Sequence, residues 1–251
     1  MDAETLFKSY AQVADLPPKT QRQILNVYLT LSTTVASAMM GAYVATHKDI
    51  IPQFVAVAVT LLATMGIAFM PANKDTLSVR RTLLWTCGYM TGTILMPLKV
   101  EFLQYNPGIL YGAMGSAAVL FASFAMGVMM STRRHVIYLT GIVAFALGSV
   151  AWIGLVNWFF PTRLLLGAEM YLALASSCVY VVMHTQVMLD EARFGDLDPV
   201  AHALVFFNDL VSLFVRILVI MAKNQRDQEE DENDRRRRRK TGQSSQRSTA
   251  C

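Results

Sequence analysis

Residues 199–222 read PVAHALVFFNDLVSLFVRILVIMA, an apolar run of helix-spanning length that nonetheless carries His202, Asn208, Asp209 and Arg216, with Lys223 next in line. His202, Asp209, Arg216 and Lys223 are spaced by sevens. Seven residues turn an α-helix through 700°, so the four charges line one stripe that drifts by only ~20° per step. An Asp facing lipid at the middle of a helix costs roughly 2.5–3.5 kcal/mol. The stripe must therefore face a bundle interior or a water-filled cavity, which makes this segment one member of a helical bundle in a membrane. A marginal, polar segment can either cross or dip in and return, and the stretch alone leaves both open.

The rest of the chain supports that reading. Of 251 residues 54% are hydrophobic and 16% charged, against roughly 25% charged in a soluble domain, and the mean hydropathy is +0.38. This composition argues against a soluble enzyme, a nucleic-acid-binding domain and a disordered scaffold. Crossing ~30 Å of hydrocarbon takes about 20 helical residues, and such runs occur at 24–46, 51–71, 82–104, 108–131, 136–160, 164–188 and 199–222. The breaks between them are polar or proline-containing, as at Asn106-Pro107-Gly108, Arg133-Arg134-His135 and the stretch from Asp190 to Pro199,. Alternating ten-residue strands are absent, which excludes a β-barrel. The expected fold is all-α: a polytopic membrane bundle of about seven segments, six spans plus a spanning or re-entrant last one.

Three regions follow: a cytosolic N-terminal segment 1–23, a bundle 24–222, and a charged tail 223–251 expected to be disordered. The tail holds nine Lys/Arg and six Asp/Glu, hence +3 of the +4 net charge; its acidic block precedes the basic block Arg235 to Lys240. With the N-terminus cytosolic, the inside loops carry nine basic residues and the outside loops three (Lys48, Lys99 and Arg163), as the positive-inside rule prefers. Seven full crossings then put the basic tail outside, a conflict that a re-entrant last segment would remove.

Ionisable groups inside a membrane are functional candidates by default; here they are Glu101, Glu169, His184, His202, Asp209 and Arg216. Glu101 is read as a wetted helix end. Asp209 is too short to reach the interface, and a short loop between the last two segments would let it meet His184. No HExxH, CxxC or phosphate-binding glycine loop is present. A lone intramembrane Asp rules out an aspartyl dyad, and Ser176 or Ser177 with His184 lacks an elbow or oxyanion signature. The chain is expected not to be an enzyme, with no cofactor, no metal site and no nucleic-acid partner.

The C-terminal third resembles the Bax inhibitor-1 family. The matching pieces are Val181-Val182-Met183-His184-Thr185-Gln186, the Glu191-Ala192 and Gly195-Asp196-Leu197-Asp198 loop, and Phe207-Asn208-Asp209-Leu210 through Ile217-Leu218. Upstream, Gly41-Ala42-Tyr43, Arg81 and Asn106-Pro107-Gly108 also look like family positions, so the likeness covers residues ~20–225. It implies an endoplasmic-reticulum protein that suppresses stress-induced cell death and acts as a pH-dependent Ca²⁺ leak, with Ca²⁺ only as permeant ion. The implied gate is a proton-sharing aspartate pair, of which Asp209 is one member. His184 stands where the other aspartate belongs, a departure from the pattern. A carboxylate beside an imidazole favours its charged form while burial disfavours both charges, so a His184–Asp209 latch would shift or reverse the family's pH response. Glu169 is a further acid at the opposite mouth, and the Arg80/Arg81 pair corresponds to a family arginine that provides counter-charge. The alternative is a non-conducting regulatory platform that acts through partners of the bundle or tail, such as cell-death regulators or calcium-handling membrane proteins. A proton-coupled transporter is the weakest reading, since no internal repeat is evident. Partners beyond the lipid bilayer, and the oligomeric state, stay open.

Overall fold

The computed structural model describes residues 18–47, 51–73, 75–95, 107–129, 163–195 and 197–248. They form six helices: α1 (Pro18–His47), α2 (Gln53–Phe69), α3 (Leu77–Ile94), α4 (Pro107–Met129), α5 (Arg163–Phe194) and α6 (Pro199–Ser248). No strand occurs among the described residues. The expected span 136–160, the end of the expected span 82–104 with Glu101, and residues 1–17 lie outside them.

Helix starts follow proline chemistry. Pro18, Pro107 and Pro199 each occupy the first helical position, where the missing N–H is no loss and the fixed φ is already helical. α1 therefore begins six residues before the expected boundary at 24. α1, α4, α5 and the 199–229 part of α6 are long and apolar enough to cross a bilayer, four such helices among the described residues. α2 has 17 residues, about 25 Å. α3 starts before Arg80 and Arg81 rather than after them, which lowers its apolar content.

Contacts between helices set their directions. Gly88 lies against Thr34 and Gly92 against Ala38, so α1 and α3 run parallel. Gly66 meets Leu83 and Thr64 meets Cys87, so α2 runs back along α3. Gly112 meets Met221, and the Phe121 ring sits edge-on to Phe206 at 5.7 Å, so α4 opposes α6. The starts of α3 and α6 are joined by Arg80 and Asp198. α1, α3 and α6 thus begin at one end of the bundle, termed the near end, and finish at the far end.

α6 is the axis. It packs against every other described helix, and Val200, Ala203, Phe206, Phe207, Leu213 and Leu218 are all buried. Phe206 also stacks on Tyr28 of α1, with ring centroids 6.0 Å apart. The outer faces stay apolar: Phe54, Leu62 and Phe69 of α2 are 75%, 69% and 81% exposed, as a lipid-facing surface requires and a water-facing one rarely tolerates.

Of the two alternatives left open for the last segment, α6 takes the continuous one: it is unbroken helix through 199–222, with no turn at which it could dip in and return. One expectation changes: the stretch from Asp190 to Phe194 is helix, not loop. α5 ends only at Gly195, whose φ of 88° is the left-handed C-cap that glycine adopts without strain, and Gly195 N–H reaches Glu191 C=O at 3.1 Å. Past its apolar part α6 runs on to Ser248, and Gln225 Nε2 donates to Glu229 Oε1 at 3.0 Å one turn further along it.

α1 and α3 approach through small residues, the packing mode available where no hydrophobic drive separates helix from lipid. A Cβ at Gly92 would stand 1.9 Å from the Ala38 carbonyl oxygen, and one at Gly41 2.1 Å from that of Tyr89. Ser37 Oγ donates to Trp85 C=O at 2.7 Å and Trp85 Nε1 to Thr33 Oγ1 at 3.1 Å. Gly92→Ala is expected to cost about 1–3 kcal/mol by overpacking. Gly115→Ala, where a Cβ meets nothing within 4 Å, is expected to be neutral or to gain up to about 1 kcal/mol of helix propensity. Thermal unfolding of the two variants in the same detergent checks the contrast.

Candidate functional site: a polar seam between α5 and α6

The four-residue connection 195–198 makes α5 and α6 an antiparallel hairpin, and the charged stripe of α6 faces α5. His184 Nδ1 lies 2.7 Å from Asp209 Oδ2, with side-chain exposures of 26% and 10%. Asp209 sits ten residues into α6 from Pro199, about 15 Å from the near end. Tyr180 stacks on the His184 ring, centroids 5.6 Å apart at 24°, which fixes the imidazole plane. Two turns closer to the near end, His202 Nε2 is 3.1 Å from Glu191 Oε2, close enough to attract but misaligned for a hydrogen bond.

The two pairs share one register. Glu191 and His184 are seven residues apart on α5, and His202 and Asp209 are seven apart on α6. Antiparallel helices meeting at matched seven-residue steps keep one seam. Continuing that register sets Arg216 opposite Ser177 and Lys223 opposite Met170. Arg216 is half-buried, with Tyr180 within electrostatic reach. A Cβ at Gly167 would lie 3.5 Å from Lys223 Nζ, so the stripe faces α5 along its whole length.

At the near end Arg80 closes the seam. Its side chain is 4% exposed; Nη2 donates to Asp198 Oδ2 and to Ile67 C=O at 3.3 Å. The other carboxylate oxygen, Asp198 Oδ1, accepts from Val200 N–H at 3.1 Å and Ala201 N–H at 3.4 Å. Asp198 is thus the N-cap of α6 and the anchor of α3 in one group.

Of the residues singled out in the sequence, His184, His202, Asp209 and Arg216 fall on this seam and Arg80 at its mouth. Arg81 is half-buried on α3 and Arg80 neutralises Asp198, not Asp209. Glu169 lies fifteen residues from His184, about 22 Å away towards the far end, and does not join the pair. Ser176 and Ser177 donate back to Ala173 C=O at 2.8 and 3.2 Å, so neither hydroxyl pairs with His184. Glu191 and Asp198 were missed as site residues because both read as loop. The signals were there: Glu191 is seven residues after His184, and Asp198-Pro199 is a cap followed by a first-turn proline. Among the described residues no group of three metal-ligating side chains occurs.

Chemically, a His–Asp pair in contact has three useful states. It can be an ion pair, a neutral pair with one shared proton, or a neutral imidazole beside a carboxylate; protons leave such a pair in steps that belong to both groups. Arg80 and Asp198 form a different device, a structural tie. Removing one partner of such a buried pair costs about 3–5 kcal/mol. Arg80→Met and Asp198→Asn are each expected to destabilise by about 3 kcal/mol, and the double variant by less than the sum. A double-mutant cycle on unfolding free energies reads the coupling directly.

Residues 20–226 match the family described as inhibitor of apoptosis-promoting Bax1. The chain is 28% identical over 231 residues to probable Bax inhibitor 1 of Paralichthys olivaceus, covering 90% of this chain and 96% of that one. It is 30% identical over 229 residues to Bax inhibitor 1 of Rattus norvegicus, with 90% and 96% covered. For Bax inhibitor 1 of Arabidopsis thaliana the identity is 30% over 222 residues, with 88% and 87% covered. The match spans α1 to the apolar part of α6 and includes the whole polar seam. With four apolar helices of span length and a family match over residues 20–226, the chain is an integral membrane protein and belongs to the family of inhibitors of apoptosis-promoting Bax1.

Proposed function

We propose that this protein suppresses stress-induced cell death from the endoplasmic-reticulum membrane by acting as a pH-sensitive Ca²⁺ leak, and that it is not an enzyme. Asp209 is the carboxylate that attracts the cation, and His184 is its proton-sensitive partner. The observation that carries the reading is the 2.7 Å contact between His184 Nδ1 and Asp209 Oδ2, inside a bundle and on the helix that touches all others. The near end faces the cytosol, a reading supported by Lys19, Arg22, Arg80, Arg81 and Arg193 on the helix turns gathered there,.

The sign of the pH response follows from the pair. An ion pair needs imidazolium and carboxylate together. While both are present His184 occupies Asp209 and the latch is closed. As pH rises and the imidazole loses its proton, the pair loses its Coulomb attraction and the carboxylate is left to a cation. The family's two-carboxylate gate opens by a different exchange, so His184→Asp changes the profile rather than abolishing flux. A second reading, a regulatory platform acting through partners such as cell-death regulators, rests on a separate observation: α6 carries its charges past the apolar part as helix to Ser248.

Ca²⁺ efflux from sealed proteoliposomes at pH 6 and pH 7.5 tests both. The leak reading expects wild-type efflux to be several-fold faster at pH 7.5, to fall at least about tenfold in Asp209→Asn, and to change its pH profile in His184→Asp. Deleting 226–251 leaves it unchanged. A flat wild-type profile removes the latch. No efflux above empty liposomes from any variant removes the leak and leaves the platform, which tolerates Asp209→Asn in a cell-survival assay and fails on loss of the tail.

A further inference from the structure

α6 has a second face. Phe207 and Phe214 lie two residues before and five after Asp209, roughly 160° and 140° round the helix from it, and Leu210 lies between them. They form the floor of a crevice of about 480 Å³. Its walls are α1 and α4, both packed on α6, with Gly92 and Leu95 at the end of α3 completing the lining. Small residues, Ala38 and Ala42 on α1 and Ala118 on α4, keep the crevice open. At its mouth Met39 is 56% and Met114 40% exposed.

Both walls are helices of bilayer-spanning length, so the mouth between them opens sideways into hydrocarbon and not into water. Every side chain lining it is apolar apart from two phenols. Those two, Tyr43 and Tyr111, stand at the same place: each is four residues from the far-end terminus of its helix, about 6 Å in, and they are 60% and 67% exposed. That is the depth at which tyrosines meet headgroups. A ligand that satisfies both parts has a polar head at the far-end interface and an unbranched apolar tail reaching inward.

We infer that the α1–α4 crevice binds one phospholipid of the far-end leaflet, its acyl chain lying on Phe207, Leu210 and Phe214 and its headgroup at Tyr43 and Tyr111. Long flexible Met39 and Met114 adapt the mouth to a mobile chain. This site is separate from the polar seam, which occupies the opposite face of the same helix, and it does not depend on any ion flux.

The test is photolabelling of the full chain, reconstituted in phosphatidylcholine bilayers doped with phosphatidylcholine bearing a mid-chain diazirine, followed by peptide mapping. Outward residues of α2, such as Leu61 and Leu62 at 60% and 69% exposure, report ordinary surrounding lipid. The proposal expects labelling of the α6 floor, which ordinary lipid cannot reach, and a fall of about tenfold at that floor in Ala118→Trp with α2 labelling unchanged. Tyr43→Phe with Tyr111→Phe, which alters no packing volume, is expected to lower floor labelling several-fold. Floor labelling no denser than background in wild type, or labelling that survives both the filling variant and the double phenol variant, overturns it. If Ala118→Trp fails to fold, Met114→Trp at the exposed mouth replaces it with the same expected loss.

Discussion

An ionised side chain surrounded by hydrocarbon is tolerated only when its charge is answered within a few ångströms, and α6 carries a histidine, an aspartate and an arginine into the bundle on one face. The contact of His184 with Asp209 answers the deepest carboxylate. That contact fixes how α5 lies on α6, because the matched steps of seven on both helices then bring Glu191 to His202 without further adjustment. With α5 and α6 locked in register, the opposite face of α6 is free to be wholly apolar and to receive α1 and α4. The polar seam and the aromatic core are two sides of one helix, each needing the other to be where it is.

The second half of the bundle is held differently. α1 and α3 meet backbone to backbone at Gly41, Gly88 and Gly92, gaining dispersion contacts over a length where a larger residue would part them. Arg80 then joins this half to the α5–α6 hairpin through Asp198. A dry small-residue interface, an ionic tie and a charged seam thus share the task that hydrophobic collapse performs in water.

Much of this was legible in the chain. The heptad spacing of His202, Asp209, Arg216 and Lys223 predicted a single buried stripe, and a short hairpin loop predicted its meeting with His184. What escaped the reading was set by local backbone chemistry or by distant partners. The Asp190 stretch looks like a loop by polarity, yet Gly195 is where the helix actually stops, so Glu191 enters the seam. Arg80 and Arg81 looked like a cytosolic break between segments. Arg80 instead lies inside α3, because a carboxylate 118 residues away compensates it. The close approach at Gly92 could not be read, since a glycine announces room without naming what fills it.

The sequence separation of the Arg80–Asp198 tie also bears on biogenesis. At ordinary synthesis rates the intervening 118 residues take on the order of ten seconds to emerge. Throughout that interval α3 is already made, with two arginines in its first turns and no carboxylate to hold the buried one. The helix is too polar to be kept in lipid by its own composition, so it must wait at the interface or beside the insertion machinery until the α5–α6 hairpin arrives. Completion of the bundle is thereby coupled to the last hairpin. A chain interrupted before Asp198 would leave Arg80 with the Ile67 carbonyl but without the carboxylate that answers its charge.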